Sequence, residues 1–196
     1  MIRAFVIAML NEADAVRPYL KPDDRLYVSG IGKVNAAAAT QKAICEGADE
    51  IWNAGLCGGF GDDIAVGDIF TVDRAVEYDF DLAKLNGTRV GQLNEYDTPY
   101  LPFAPVKGLP ARTLATGDHF NDSETDYALI TKELGASLRD MEGAAIAHVC
   151  KREGVRCHAV KCVTNVAGKS SMTGQYEENT RRCLERLSHA MKELLG

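Results

Sequence analysis

Ile2-Arg3-Ala4-Phe5-Val6-Ile7-Ala8-Met9 is the stretch that sets the architecture. With one charge and no polar–apolar alternation, it reads as a strand buried on both faces, as in a sheet covered by helices on either side. The run is far short of the ~20 apolar residues that cross a bilayer. It passes straight into Asn11-Glu12-Ala13-Asp14 without a small-residue cleavage site, so a first core strand is expected here and not a leader peptide.

Beyond it the pattern alternates. A short helix over 12–20 ends near Pro18 and Pro22, and a brief strand covers 25–29. Gly30-Ile31-Gly32 precedes an Ala-rich helix over 33–46, with Gly47 suited to its C-terminal cap. A strand over 49–53 enters a glycine-rich turn, Gly55-Leu56-Cys57-Gly58-Gly59-Phe60-Gly61, and another strand covers 67–78. Residues 80–110, with Pro99, Pro102, Pro105 and Pro110, give little regular signal, as binding loops and interfaces do. Strands over 111–116, 136–140 and 155–163 then alternate with helices over 123–134, 142–153 and 174–195. Asn121, Asp122 and Ser123 suit the cap of the first of these helices. The last is amphipathic, with Cys183, Leu184, Leu187, Met191 and Leu194 at three- and four-residue steps. This alternation predicts one α/β domain over 1–196, its sheet lying between helical layers.

Composition narrows the function. The chain has 196 residues, 46% hydrophobic and 26% charged, with a net charge of −6. No run of Lys or Arg exceeds two residues, which argues against a general nucleic-acid or anionic-membrane binder. A cytoplasmic location is expected. None of the six cysteines forms a Cys-x-x-Cys pair, so buried free thiols are expected over a zinc site or disulfide framework. Neither a metal nor an organic cofactor is expected.

Ligand sites in such sheets lie beyond the carboxyl ends of the strands. Those ends carry Met9 and Glu12, Gly58, Phe120 and Asn121, Met141 and Glu142, and Asn165. Each has a plainer explanation. Glu12 and Glu142 suit exposed helix starts, the glycines tight packing, Phe120 a core and Asn165 a turn. Their joint placement at five strand ends argues for one site.

The motifs in order resemble one family. Gly30-Ile31-Gly32-Lys33-Val34-Asn35-Ala36-Ala37 is similar to the GIGKVNAA segment of the purine and uridine phosphorylase superfamily. Asn53-Ala54-Gly55-Leu56-Cys57-Gly58-Gly59 resembles NTGSAGG, Val66-Gly67-Asp68-Ile69 resembles VGDI, and Tyr78-Asp79-Phe80-Asp81 is similar to HDxD. Asp140-Met141-Glu142-Gly143-Ala144-Ala145-Ile146-Ala147-His148-Val149-Cys150 resembles EMEATAIAHVC, and Val163-Thr164-Asn165-Val166-Ala167 resembles ISDVA. The nearest branch by these motifs is the 5′-methylthioadenosine/S-adenosylhomocysteine nucleosidases.

The resemblance implies a three-layer αβα sandwich with a central twisted mixed sheet. It also implies cleavage of the bond between ribose and a purine, through an oxocarbenium-like transition state. By it, Glu12 activates the attacking water and Glu142 binds the ribose 2′- and 3′-hydroxyls. Met141 packs on sugar and base, Phe120 stacks on the purine, backbone at Asn121 meets the base edge, and Gly58 marks close backbone approach to the ligand. Met9, Ile31 and Lys161 complete the expected substrate-binding set. A homodimer is implied, in which a partner loop equivalent to residues 83–93 closes the 5′ side.

Three positions depart from the family pattern. Asn165 stands where the nucleosidases have an aspartic acid that protonates the leaving base, and an amide has no such proton to give. Lys161 replaces an arginine, losing its bidentate fork, and Leu56 replaces a serine. Hydrolysis is expected over phosphorolysis, because Ile51-Trp52-Asn53 and Leu10-Asn11-Glu12 supply no cation for phosphate. The alternatives are a 6-oxopurine nucleoside phosphorylase and a nucleoside-binding protein that has lost turnover. The chain is short for this family: only 21–28 separates the first helix from Ser29-Gly30-Ile31, so one strand-rich segment is expected to be missing.

Overall fold

The computed structural model describes residues 1–196. Strand β1 (Arg3–Ile7) leads into helix α1 (Leu10–Val16) and a 3-10 turn at Arg17–Tyr19. Then come β2 (Arg25–Val28), α2 (Lys33–Cys45), β3 (Glu50–Gly59) and β4 (Ile69–Glu77). A one-turn helix α3 (Ala83–Asn86) and a two-residue strand β5 (Leu101–Pro102) interrupt the proline-rich stretch. The chain closes with β6 (Ala111–Thr116), α4 (Glu124–Ala128), β7 (Leu138–Asp140), α5 (Gly143–Glu153), β8 (Arg156–Val166) and α6 (Met172–Leu195).

The sheet is mixed. Its strands run β2-β1-β3-β7-β6-β4-β5, with β8 paired to both β3 and β4. Five strands (β3, β7, β6, β4 and β8) therefore close on one another, leaving β2 and β5 as short edges. Between α1 and α2 the only strand is the four-residue β2, parallel to β1.

Alternation of burial explains the layers. Along β1, Ala4 and Val6 join an apolar cluster with Ala36 and Ala43 of α2 and Ile146 of α5. Phe5 and Ile7 join a second cluster with Ala13 and Val16 of α1 and Leu187 and Met191 of α6. Both faces of the strand are thus dry, which is why no polar residue alternates through it.

Three expectations need correction. The glycine segment is not a turn after β3: the strand continues through Gly55, Leu56, Cys57, Gly58 and Gly59, all paired with β8, with a register shift between Cys57 and Gly58. Strand β8 likewise runs on to Val166, so Asn165 lies within it. The glycines are there for space. A Cβ on Gly55 would lie 2.8 Å from the Glu12 carboxylate, and one on Gly58 would lie 2.9 Å from Nδ2 of Asn165. All six cysteines are free, but Cys45 is exposed while the others are buried.

The two layers rest on similar apolar contacts. Ile146→Ala in α5 and Leu187→Ala in α6 should each cost about 2–5 kcal/mol, whereas Leu85→Ala, on an exposed helix turn, should change stability by less than ~0.5 kcal/mol. Urea unfolding of the three variants measures this.

Candidate active site

The carboxyl ends of β1, β3, β6, β7 and β8 converge on a cavity of about 380 Å³. Its wall includes Met9, Glu12, Ile31, Leu56, Gly58 and Phe120, together with Met141, Glu142 and Asn165. Two expected residues do not reach this wall. Lys161 lies beneath it, 2% exposed, because its ammonium is drawn 2.7 Å from Oδ2 of Asp140. Asn121 lines an adjoining groove, and its main-chain carbonyl accepts a 2.6 Å hydrogen bond from Arg139. Residues 83–93 contribute nothing to the wall within one chain.

Main-chain donors hold the two carboxylates. Glu12 sits in the first turn of α1. Its Oε1 accepts from the Leu56 N–H at 2.7 Å, and its Oε2 from the Met9 N–H at 3.2 Å. Glu142 precedes α5, and its Oε1 accepts from the Gly32 N–H at 2.8 Å. The glycine at 32, with φ of +100°, turns that N–H toward the carboxylate. Lys33 then anchors the segment by pairing with Asp79 at 2.6 Å and Glu77 at 3.2 Å.

Below them Asp140 accepts from Thr116 Oγ1 at 2.6 Å and from the Gly143 N–H at 2.9 Å, besides holding Lys161. Three buried carboxyl groups thus share one ammonium. Burial pushes the Glu12 carboxyl above its ordinary range, although the Leu56 N–H and Lys161 pull it back. Burial, and then the Asp140 charge, push Glu142 up to about 7. For Lys161 burial works against the charge, but Asp140, Glu142 and Glu12 outweigh it and keep the ammonium protonated.

Besides Asp140, sequence reasoning passed over three more polar residues of this wall. Tyr176, on α6, meets the Phe120 ring edge-on at 5.8 Å. Thr164 places its hydroxyl 2.8 Å from Oδ1 of Asn165. Arg139 of β7 is 5% exposed and pairs with no carboxylate. Its contacts are Asn121, the Met172 sulfur and the Phe60 ring. A buried charge inside a three-residue strand leaves no periodic mark; only the odd sequence Leu-Arg-Asp before an apolar helix could have signalled it. No three His, Cys, Asp or Glu side chains gather as a metal site, and no helix is long and apolar enough to cross a membrane.

The sequence profile of the phosphorylase superfamily matches residues 25–196. The 5′-methylthioadenosine/S-adenosylhomocysteine nucleosidase of Shewanella halifaxensis is 31% identical over 158 residues, 73% of this chain and 68% of that protein. A solved nucleosidase of the same description from Colwellia psychrerythraea, in complex with adenine, superposes with a TM-score of 0.86 at 25% identity, covering 100% of this chain and 96% of the other. The Helicobacter pylori nucleosidase with butyl-thio-DADMe-Immucillin-A superposes with a TM-score of 0.90 at 19% identity, over 99% of this chain and 97% of that one.

The raised carboxyl of Glu142 has a defined effect on stability. Its folded value of about 7 exceeds the ordinary 4.5, so the folded chain holds this proton more tightly than the unfolded chain does. The stabilisation is complete below the ordinary value and is lost as pH rises through about 7. Wild type should therefore lose more stability than Glu142→Gln between about pH 5 and about pH 8. Denaturant titrations at the two pH values check it, and parallel losses would contradict the assignment.

Proposed function

The chain belongs to the phosphorylase superfamily, and we propose that it is a purine nucleoside N-ribohydrolase that works as a homodimer. The seat of Glu12 carries this reading. A buried carboxylate held through both oxygens by main-chain N–H groups, with burial raising its proton affinity above that of a free carboxyl, is suited to take a proton from water.

In this mechanism Glu12 deprotonates the water as it attacks C1′ of the ribose. Glu142 accepts hydrogen bonds from the 2′- and 3′-hydroxyls, and Met9, Ile31 and Met141 pack against the sugar. Phe120 covers the face of the purine, Gly58 leaves room for it against the strand, and Asn165 meets its edge. Lys161 acts from below, its charge balancing the carboxylates.

Water is favoured over phosphate as the nucleophile. Phosphate needs convergent cationic donors. At the Glu12 end of the cavity the cation is Lys161, whose ammonium Asp140 already holds; Arg139 stands across Gly58 on β7, and the Glu12 carboxylate itself repels an anion. The dimer reading rests on the exposed apolar side chains Ile31, Val34 and Phe120, which border the cavity or lie beside it and would be covered by a second copy.

The test is to incubate the protein with methylthioadenosine, adenosylhomocysteine, inosine and a futalosine-like nucleoside, each with and without phosphate, and to follow free base. Release independent of phosphate is expected. Release that requires phosphate would make the protein a phosphorylase, and binding without release a nucleoside-binding protein. Glu12→Gln should lower kcat about 100- to 10,000-fold; a fully active variant would remove Glu12 from its role.

A further inference from the structure

The pairing of Gly58, just past the register shift between β3 and β8, leaves a gap with a donor on each side. Gly58 pairs with Arg139 of β7 across one edge of β3 and with Asn165 of β8 across the other. Cross-strand partners project to the same face of a sheet, so Arg139 and Asn165 stand on that face with a bare glycine between them. Both line the cavity.

Each presents hydrogen-bond donors. Oδ1 of Asn165 accepts from the Thr164 hydroxyl, while its Nδ2 is the atom nearest the Cβ that Gly58 lacks. Arg139 offers only donors. Its Nη1 reaches Oδ1 of Asn121 at 3.3 Å, and its Nη2 reaches the Asn121 carbonyl at 2.6 Å and the Met172 sulfur at 2.8 Å. No carboxylate lies within ion-pair distance of it, and a guanidinium buried without a counter-ion is an expensive arrangement. A ligand acceptor placed against it would offset part of that cost.

The geometry points to Arg139 as the residue that selects a base carrying a carbonyl oxygen beside the ring nitrogen, that is, a 6-oxopurine. This rests on the nucleoside-cleaving reading above. The Hoogsteen edge of such a base shows two acceptors, N7 and O6, whereas adenine shows one acceptor and the N6 amino donor. Two facing donors match the first edge and oppose the second.

The same pair answers the absence of an acid at position 165. As water adds to C1′ and gives its proton to Glu12, the C1′–N9 bond breaks with its electron pair on the base. The negative charge spreads to N7 and O6, where Asn165 and Arg139 donate hydrogen bonds. The proton taken by Glu12 returns through solvent to the departed base, so nucleoside and water yield ribose and neutral base.

The experiment compares kcat/KM for inosine and guanosine with that for adenosine in wild type, Arg139→Met and Arg139→Lys. Arg139→Met should lower the 6-oxopurine values about 100-fold or more, as loss of a charge-stabilising donor does, and the ratio of inosine to adenosine kcat/KM at least about tenfold. Arg139→Lys should recover part of the inosine rate. Equal losses on both base types would overturn the inference and leave Arg139 a purely structural residue. Calorimetric binding of free hypoxanthine and adenine to wild type tests the same point without a variant or turnover. Hypoxanthine should bind at least about tenfold tighter, a gap one well-placed polar contact supplies, and equal or tighter adenine binding would overturn it. If no nucleoside is cleaved yet hypoxanthine is preferred, the hydrolase reading fails and the base selection stands.

Discussion

The ion pair between Lys161 and Asp140, 2.7 Å long and sealed under the cavity floor, is the contact on which the site depends. One ammonium faces three carboxyl groups in a region water scarcely reaches. Removing the ammonium would leave uncompensated buried charge, which typically costs about 3–5 kcal/mol. With it in place the excess negative charge is tolerated, but only by holding Glu12 and Glu142 closer to protonation than free carboxyls. In the proposed mechanism that poise is what lets Glu12 act as a base. Structural necessity and the proposed chemical use come from the same crowding.

The fold makes the crowding possible. Because β8 pairs with both β3 and β4, strands distant in the chain bring their carboxyl ends to one rim. Lys161 arrives from β8, Asp140 from the end of β7, and the Leu56 N–H from β3. Helix α1 enters immediately after β1, so Glu12 in its first turn has a short path to that rim. An open sheet with β8 at an edge would spread these groups apart.

Much of this was legible in the residues. The doubly buried β1, the three- and four-residue steps of α6 and the capping residues before α4 gave elements close to those found, because local pattern and burial agree there. Glu12, Glu142, Phe120, Met141 and Asn165 could be grouped because each lies at or near a strand end. Other features depend on long-range pairing. The glycines of β3 read as a turn, since nothing local says that Glu12 and Asn165 fill the space a side chain would take. Lys161 sits in an apolar run whose partner, Asp140, lies 21 positions earlier, so its place under the floor was hidden. Arg139 was invisible for the same reason: its burial is decided by Met172, Asn121 and Phe60, none of them near in sequence.

Glu12 and Glu142 share one property, that the groups fixing them are peptide N–H donors of Leu56, Met9 and Gly32. Every residue except proline supplies such a donor. The carboxylates therefore keep their aim whatever side chains occupy positions 56 and 9, provided the backbone path holds. Those positions are free to vary toward new ligands without the two acids being re-engineered. The leucine at position 56 is then a matter of lining alone, and the scaffold can diversify its specificity around an unmoving pair of acids.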